Sequence, residues 1–370
     1  MSLYYLNVNG SIVTHYNEFP AAAQAAFAGL DTAARQAELG RSIARLPGGF
    51  AKKRVAARDY WYYQVKMPGG QAQQVYVGPD DAATRALMAA HANPATRSEQ
   101  SALTRMARAA MAYGCAEIPL KHARVIERLN AYGFFAAGGI LVGTHAFLAY
   151  QNHFGVRWNT EVLTVDQDFT HAGKNISIAL PSNLTLDARA AIDSLGLGFI
   201  PVQSNTTFKK PDEPDFDLDF LTSVGRRGDE PVYLPALNLT LQPLKFMELS
   251  LEDPMRATLL TRNGPIVVNL PQPHRFALHK LIVQGERPLA QRVKANKDLA
   301  QAGALIDYLL LHDGDVLIIA WEDVVSRGPG WARRLLAGWH ALEAAQSAMG
   351  FTERLRRALE ARDSGAGSID

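Results

Sequence analysis

The run Phe216-Asp217-Leu218-Asp219-Phe220-Leu221-Thr222 alternates acidic and apolar side chains with a period of two, a pattern that suits a β-strand and breaks a helical face. In a strand, Asp217 and Asp219 share one face while Phe216, Leu218 and Phe220 share the other, so one side belongs to a core. Asp219 lies deepest in the apolar run, where an unpaired carboxylate is hardest to explain. Asp217 and Asp215 can be loop-end residues in water. A second such segment, Thr164-Val165-Asp166-Gln167-Asp168-Phe169, puts Asp166 and Asp168 on one strand face and Val165, Gln167 and Phe169 on the other. Carboxylates side by side repel one another. A divalent cation relieves that cost, and Mg²⁺ held by one or two carboxylates plus substrate phosphates is the usual arrangement. Asp219 would then be the third acid that a two-metal clamp on an in-line phosphoryl displacement requires.

Upstream of the acid pair, Ile140-Leu141-Val142-Gly143-Thr144 ends an apolar strand on a glycine and leads into an amphipathic stretch, His145 to Phe154. Gly143 and Thr144 would let backbone amides at a helix start approach a phosphate closely. Gly138-Gly139 is the alternative phosphate loop, which would leave Gly143 and Thr144 with a structural part only. Further on, Lys280 and Arg287 are seven residues apart, one face of a helix, and could reach triphosphate oxygens or form a solvated basic stripe. Lys297-Asp298 suits helix packing as well as catalysis.

Other chemistries are excluded or weakly supported. Thirty-eight Lys and Arg against 36 Asp and Glu leave a net charge of +2, so any attraction to nucleic acid must be local. The single cysteine, Cys115, excludes an intramolecular disulfide and multi-cysteine zinc sites, and fits a reducing cytoplasm. Met1 to Phe19 has no positive start followed by an apolar run, and no stretch reaches the ~18 apolar residues of a membrane helix. The expectation is a soluble cytoplasmic protein with no membrane partner. His145, His153, His171, His274 and His279 lack ligand spacing and read as structural. Gly196-Leu197-Gly198 lacks the third glycine of a dinucleotide loop, and neither a P-loop nor a Gly-x-Ser-x-Gly elbow occurs.

The rest of the chain frames this centre. Residues 20–46 are Ala-rich with helical spacing and stop at Pro47-Gly48-Gly49. Lys52 to Gly78 reads as an aromatic β-hairpin turning at Pro68-Gly69-Gly70, and residues 81–112 as helical. Through Cys115 there are 12 Lys and Arg against 7 Asp and Glu. Basic residues beside Tyr60, Trp61, Tyr62 and Tyr63 offer phosphate contacts and stacking surfaces, although strand alternation should turn half of these rings toward a core. Strands are expected at Glu161–Phe169, Asn175–Leu180, Phe216–Thr222, Phe246–Leu251, Ala257–Thr261 and Pro265–Leu270, with an exposed loop at Ser204–Pro214. Helices are expected at Phe276–Glu286, Leu289–Leu311 and Trp331–Ala361.

The order strand, Gly-Thr, helix, Asp166-Gln167-Asp168-Phe169, then a later acidic strand, resembles the nucleotidyltransferase fold of the DNA polymerase β superfamily. Gly143-Thr144-His145-Ala146-Phe147, Phe276-Ala277-Leu278-His279-Lys280-Leu281 and the hairpin around Arg58-Asp59-Tyr60-Trp61-Tyr62 resemble a bacterial nucleotidyltransferase-fold family related to the AbiEii-type abortive-infection toxins. The resemblance spans about residues 45–310. It implies an α+β fold with a mixed-sheet core at 116–272, an N-terminal helix and hairpin domain at 1–115 and a helical region at 273–370. It further implies an NTP whose nucleoside monophosphate passes to an acceptor hydroxyl. In that reading Asp166, Asp168 and Asp219 bind Mg²⁺ or Mn²⁺ and catalyse, while Gly143, Thr144 and Lys280 hold the triphosphate. Partners would be tRNA or another nucleic acid at the Lys52–Gly78 hairpin and, for a toxin or phage-defence protein, an antitoxin. The rival expectation is a catalytically silent nucleic-acid-binding or regulatory protein on the same fold.

Overall fold

The computed structural model describes residues 14–39, 48–55, 58–66, 72–92, 94–160, 167–172, 186–225, 228–287, 291–346 and 350–366. Asp166 and the strand expected at Asn175–Leu180 lie outside them.

The chain opens with a short strand β1 (Tyr16–Glu18) and helix α1 (Ala21–Leu39). The aromatic segment is a three-stranded antiparallel meander, β2 (Gly48–Val55), β3 (Arg58–Lys66) and β4 (Ala72–Pro79), one strand more than the expected hairpin. Residues 81–112 divide into α2 (Ala82–Ala92) and α3 (Pro94–Ala112), with proline as the first residue of the second helix, where its missing N–H costs nothing. Helix α4 (Leu120–Ala131) leads to β5 (Ile140–Leu141), α5 (Gly143–Phe154), β6 (Val156–Trp158) and β7 (Gln167–Thr170). Only Ile140–Leu141 of the apolar run 134–144 is strand. Helix α5 stops at Gly155, whose φ of +68° is the left-handed conformation that glycine adopts without a Cβ penalty.

Next come α6 (Ala188–Asp193), β8 (Ile200–Val202), β9 (Thr207–Lys210), β10 (Glu213–Ser223), β11 (Val232–Leu234), β12 (Leu239–Leu244) and the single-turn α7 (Glu248–Leu251). Two expectations are corrected here. Within the expected loop Ser204–Pro214, Thr207 to Lys210 forms β9, with Thr207, Phe208 and Lys210 buried. The expected strand Phe246–Leu251 is instead a turn, with Phe246 at φ +66°, followed by α7. The strands expected at Ala257–Thr261 and Pro265–Leu270 are β13 (Met255–Thr261) and β14 (Gly264–Leu270), which pair with each other as an antiparallel hairpin apart from the main sheet. The C-terminal region is helical: α8 (Pro273–Gln284), α9 (Arg292–His312), α10 (Gly314–Ser326), α11 (Pro329–Gln346) and α12 (Phe351–Ala366). Helix α10 was not anticipated, and Trp331–Ala361 is two helices rather than one.

The architecture is therefore α+β around a mixed sheet that has seven strands among the described residues, ordered β11-β12-β10-β7-β5, with β9 along the other half of β10 and β8 outside it. Strand β10 is parallel to β7 on one edge; on the other it is antiparallel to β9 and then parallel to β12. Phe216, Leu218 and Phe220 are fully buried, as their alternation requires, and Phe220 stacks on Phe169 at 5.4 Å. A second apolar cluster joins α1 and α3 to the β13–β14 hairpin through Phe27, Leu30, Ala107, Leu260 and Val267.

Candidate active site

The parallel register of β7 and β10 sets Asp168 directly opposite Asp219. Neighbouring strands lie roughly 4.8 Å apart, so the two carboxyl-bearing residues occupy one face side by side. Both are half-buried, while Phe169, Leu218 and Phe220 on the reverse face are fully buried. On its other edge Asp219 faces Thr207 of β9, whose hydroxyl donates to Asp219 Oδ1 at 2.6 Å. Asp217 shares that face but is held by Lys209 Nζ at 2.6 Å, which turns it to the β9–β10 pairing.

Gly143 is the first residue of α5 and not the end of the strand. Its φ is +63°, and a Cβ there would run into the Asp168 carboxylate. Glycine is therefore required twice over, by conformation and by contact. Val142 N–H donates to the Asp168 carbonyl at 3.0 Å, which pins the start of α5 to β7. Thr144 is buried, and its hydroxyl accepts from Gln301 Nε2 of α9 at 3.3 Å. The alternative glycines have other duties: a Cβ on Gly139 would overlap the Phe134 ring, and the Gly139 carbonyl accepts from Asn269 Nδ2 at 2.8 Å.

These residues open onto a cleft of about 700 Å³, within the size range of small-molecule sites, whose lining includes Gly143, Thr144, Asp168, Asp219 and Lys280. Five of the six expected site residues thus converge; Asp166 lies outside the described residues. The wall formed by α8, α9 and the segment between them is basic. Lys280 Nζ lies 2.6 Å from Asp298 Oδ1, and Arg287 Nε binds Asp298 Oδ2. Asp298 is fully buried, which pushes its carboxyl up, but the two adjacent cations outweigh burial and hold it below the usual range. Two cations on one carboxylate leave a surplus positive charge beside the cleft. Lys294 and Lys297, three apart on α9, also line it. Their i,i+3 spacing was the available sequence signal.

Buried imidazoles surround this centre in neutral form. His279, which shares a hydrogen bond between its Nδ1 and Ser250 Oγ, is pushed down to about 3 by burial and then by Lys280. His145 is fully buried beneath the start of α5 and is likewise pushed down to about 3, by burial, His122 and Lys297 in that order. Its Nε2 lies 2.9 Å from His122 Nδ1. His171 Nε2 lies 3.0 Å from the Ala137 carbonyl oxygen.

Among the described residues there is no group of three or more His, Cys, Asp or Glu side chains placed to hold a metal. The Asp168–Asp219 pair supplies two hard oxygen donors from adjacent strands, a set that suits Mg²⁺ or Mn²⁺ with water and substrate oxygens completing the shell. No helix among the described residues is long and apolar enough to cross a membrane.

No curated protein and no solved structure matches this chain. A family model described as nucleotidyltransferase matches residues 121–326, more than half of the 370 residues, and its span contains the acid pair, Gly143 and the α8–α9 wall. The chain belongs to this nucleotidyltransferase family and is by that membership a transferase of the EC 2.7.7 type.

Proposed function

We propose that the cleft binds a nucleoside triphosphate with a divalent cation and transfers its nucleoside monophosphate to an acceptor hydroxyl. The observation that carries this reading is the pairing of Asp168 with Asp219 across a parallel ladder, against a glycine that leaves room for the Asp168 carboxylate, at the edge of a nucleotide-sized cleft. Asp168 and Asp219 would hold the cation, with Asp166 as a third candidate. A bound Mg²⁺ or Mn²⁺ would neutralise phosphate charge and polarise the α-phosphoryl group.

The chain's own groups account for the rest. The amides at the start of α5, around Gly143 and Thr144, present partial positive charge to phosphate oxygens. Lys280 and Arg287, sharing Asp298, keep their net positive charge in place without a rearrangement on substrate arrival. The acceptor oxygen attacks the α-phosphorus, the bond to the bridging oxygen breaks, and pyrophosphate leaves. Asp219 takes the acceptor proton, with its orientation fixed by the Thr207 hydroxyl. An RNA end and a protein side chain both supply such a hydroxyl.

The test incubates the purified chain with each α-labelled NTP, Mg²⁺ and a mixture of tRNA and proteins, alongside Asp168→Asn and Asp219→Asn. Covalent label with the parent and none with either variant supports the reading, and the labelled product identifies the acceptor class. Label transfer by the variants at the parent's rate would remove the acid pair from the mechanism.

A further inference from the structure

The two faces of the β2–β3–β4 meander differ in kind. Register places Phe50, Lys52, Arg54, Asp59, Trp61, Tyr63 and Val65 on one face. There Tyr63 and Val65 are buried in the main core, Trp61 Nε1 donates to Asp80 Oδ1 at 3.0 Å, and Lys52 pairs with Asp80 at 2.6 Å. Trp61 and Tyr63, two of the four rings that the sequence offers for stacking, are therefore structural. The opposite face carries Tyr60, Tyr62 and Tyr76 with Lys53, Arg58 and Lys66, and among the described residues register puts no carboxylate on it.

Those three tyrosines form a cluster. Tyr76 is 53% exposed, and its ring centroid lies 5.6 Å from that of Tyr62 and 6.1 Å from that of Tyr60. A β-bulge at Val77 of β4 restores Tyr76 to the face of Tyr62. Lys53 Nζ sits 5.3 Å over the Tyr62 ring, and Lys53, Arg58 and Lys66 are exposed. Among the described residues of this region, Asp59 lies on the other face and Asp80 is bound there by Trp61, Lys52 and Arg85, while Asp81 accepts from the Thr84 N–H at the start of α2.

We propose that this face is a stacking platform for single-stranded nucleic acid. One exposed and two half-buried tyrosine rings on a sheet face, flanked by exposed cations, supply the two forces such strands use: base stacking and phosphate neutralisation. Charge complementarity selects this occupant over an acidic-residue-seeking or purely apolar partner. The surface lies outside the acid pair and needs neither triphosphate nor metal.

The test measures fluorescence anisotropy of a labelled 12-nucleotide single-stranded RNA, the DNA of the same sequence, their duplexes and a proline-rich peptide, without NTP or Mg²⁺, on the full chain. A single strand binds, its affinity falls with salt, and Asp219→Asn binds as the parent does, which separates this result from any failure of catalysis. Tyr62→Leu and Tyr76→Leu each weaken binding on the order of tenfold, while Tyr62→Phe, which keeps the ring, leaves it unchanged. Lys53→Gln lowers the salt slope by about 1 and provides a second reading should a tyrosine variant fail to fold. Preference between RNA and DNA identifies the source of the strand. Absence of single-strand binding, equal affinity for duplex, insensitivity to both leucine variants, or displacement by the peptide overturns the proposal.

Discussion

Two aspartate arrangements border the same cleft and are built on opposite principles. On the sheet floor, Asp168 and Asp219 stand opposite one another on adjacent strands, half-buried, with like charges juxtaposed. On the helical wall, Asp298 is fully buried and gripped by Lys280 and Arg287. The wall is electrostatically complete and joins α8 to α9. The floor sets two carboxylates side by side, an arrangement that the proposed cation would relieve. In the proposed reading the same residue type serves stability in one place and chemistry in the other, and substitutions should separate the two roles by sign.

The largest effect is expected on the floor. Asp219→Asn keeps the Thr207 hydrogen bond but removes a charge, and should lower nucleotidyl transfer on the order of a thousandfold, ~4 kcal/mol of barrier. Its urea midpoint should match or exceed the parent's, because the repulsion with Asp168 is relieved. A midpoint well below the parent's would show that Asp219 is structural and break the contrast.

Asp298→Asn should behave in reverse. Leaving two cations beside a buried neutral amide costs about 3 kcal/mol of stability, read from urea unfolding at pH 7. The sign with pH follows from the depressed carboxyl. Its stabilisation is fully present above the ordinary carboxylate value of about 4 and is lost as the pH falls through the lower folded value. The parent and Asp298→Asn curves should therefore converge in acid, and parallel curves would show that the ion pairs contribute little.

Gly143→Ala links floor and helix, and should cost less. A non-glycine residue at φ +63° is strained by about 1–2 kcal/mol, and the new methyl displaces the Asp168 carboxylate. Thermal unfolding should register that strain, with transfer falling about tenfold or more at temperatures where the variant remains folded.

What the sequence revealed of this contrast depended on whether the signal was local. Strand β10 was legible because a two-residue period forces its acids to one side, and Gly143 because a glycine between strand and helix has few other uses. The β9 strand was hidden by its own chemistry: Thr207, Lys209 and Lys210 look like loop residues until their partners Asp219, Asp217 and Glu213 arrive from β10. Phe246–Leu251 is too short an apolar run for periodicity to distinguish strand from helix. Lys280 and Arg287 were expected on one helical face, but α8 ends at Gln284 and Arg287 lies in the segment that follows; the buried Asp298 of α9 brings the two together, and nothing in their own spacing announces it. The meander showed its tyrosines while leaving open which of them face outward, since the core-facing choice depends on what packs behind Tyr63 and Val65.

The smallest effect tests the layer beneath the floor, where His145 is buried and neutral down to about 3. An unfolded histidine takes up a proton near pH 6.5, whereas the folded imidazole does not until far lower, so the unfolded state gains protons on mild acidification. Stability should thus be fully present above pH 6.5 and decline toward the folded value, opposite in range to Asp298, which is unaffected until pH 4. Between pH 7 and 6 the expected loss is on the order of 0.7 kcal/mol for each such histidine. His279, with the same depression, adds a second share. Urea midpoints of the parent and His145→Gln across this interval should show a shallower slope in the variant. An unchanged slope would mean that His145 accepts a proton in the folded state, which would put a positive charge behind Gly143 and make the floor less distinct from the wall.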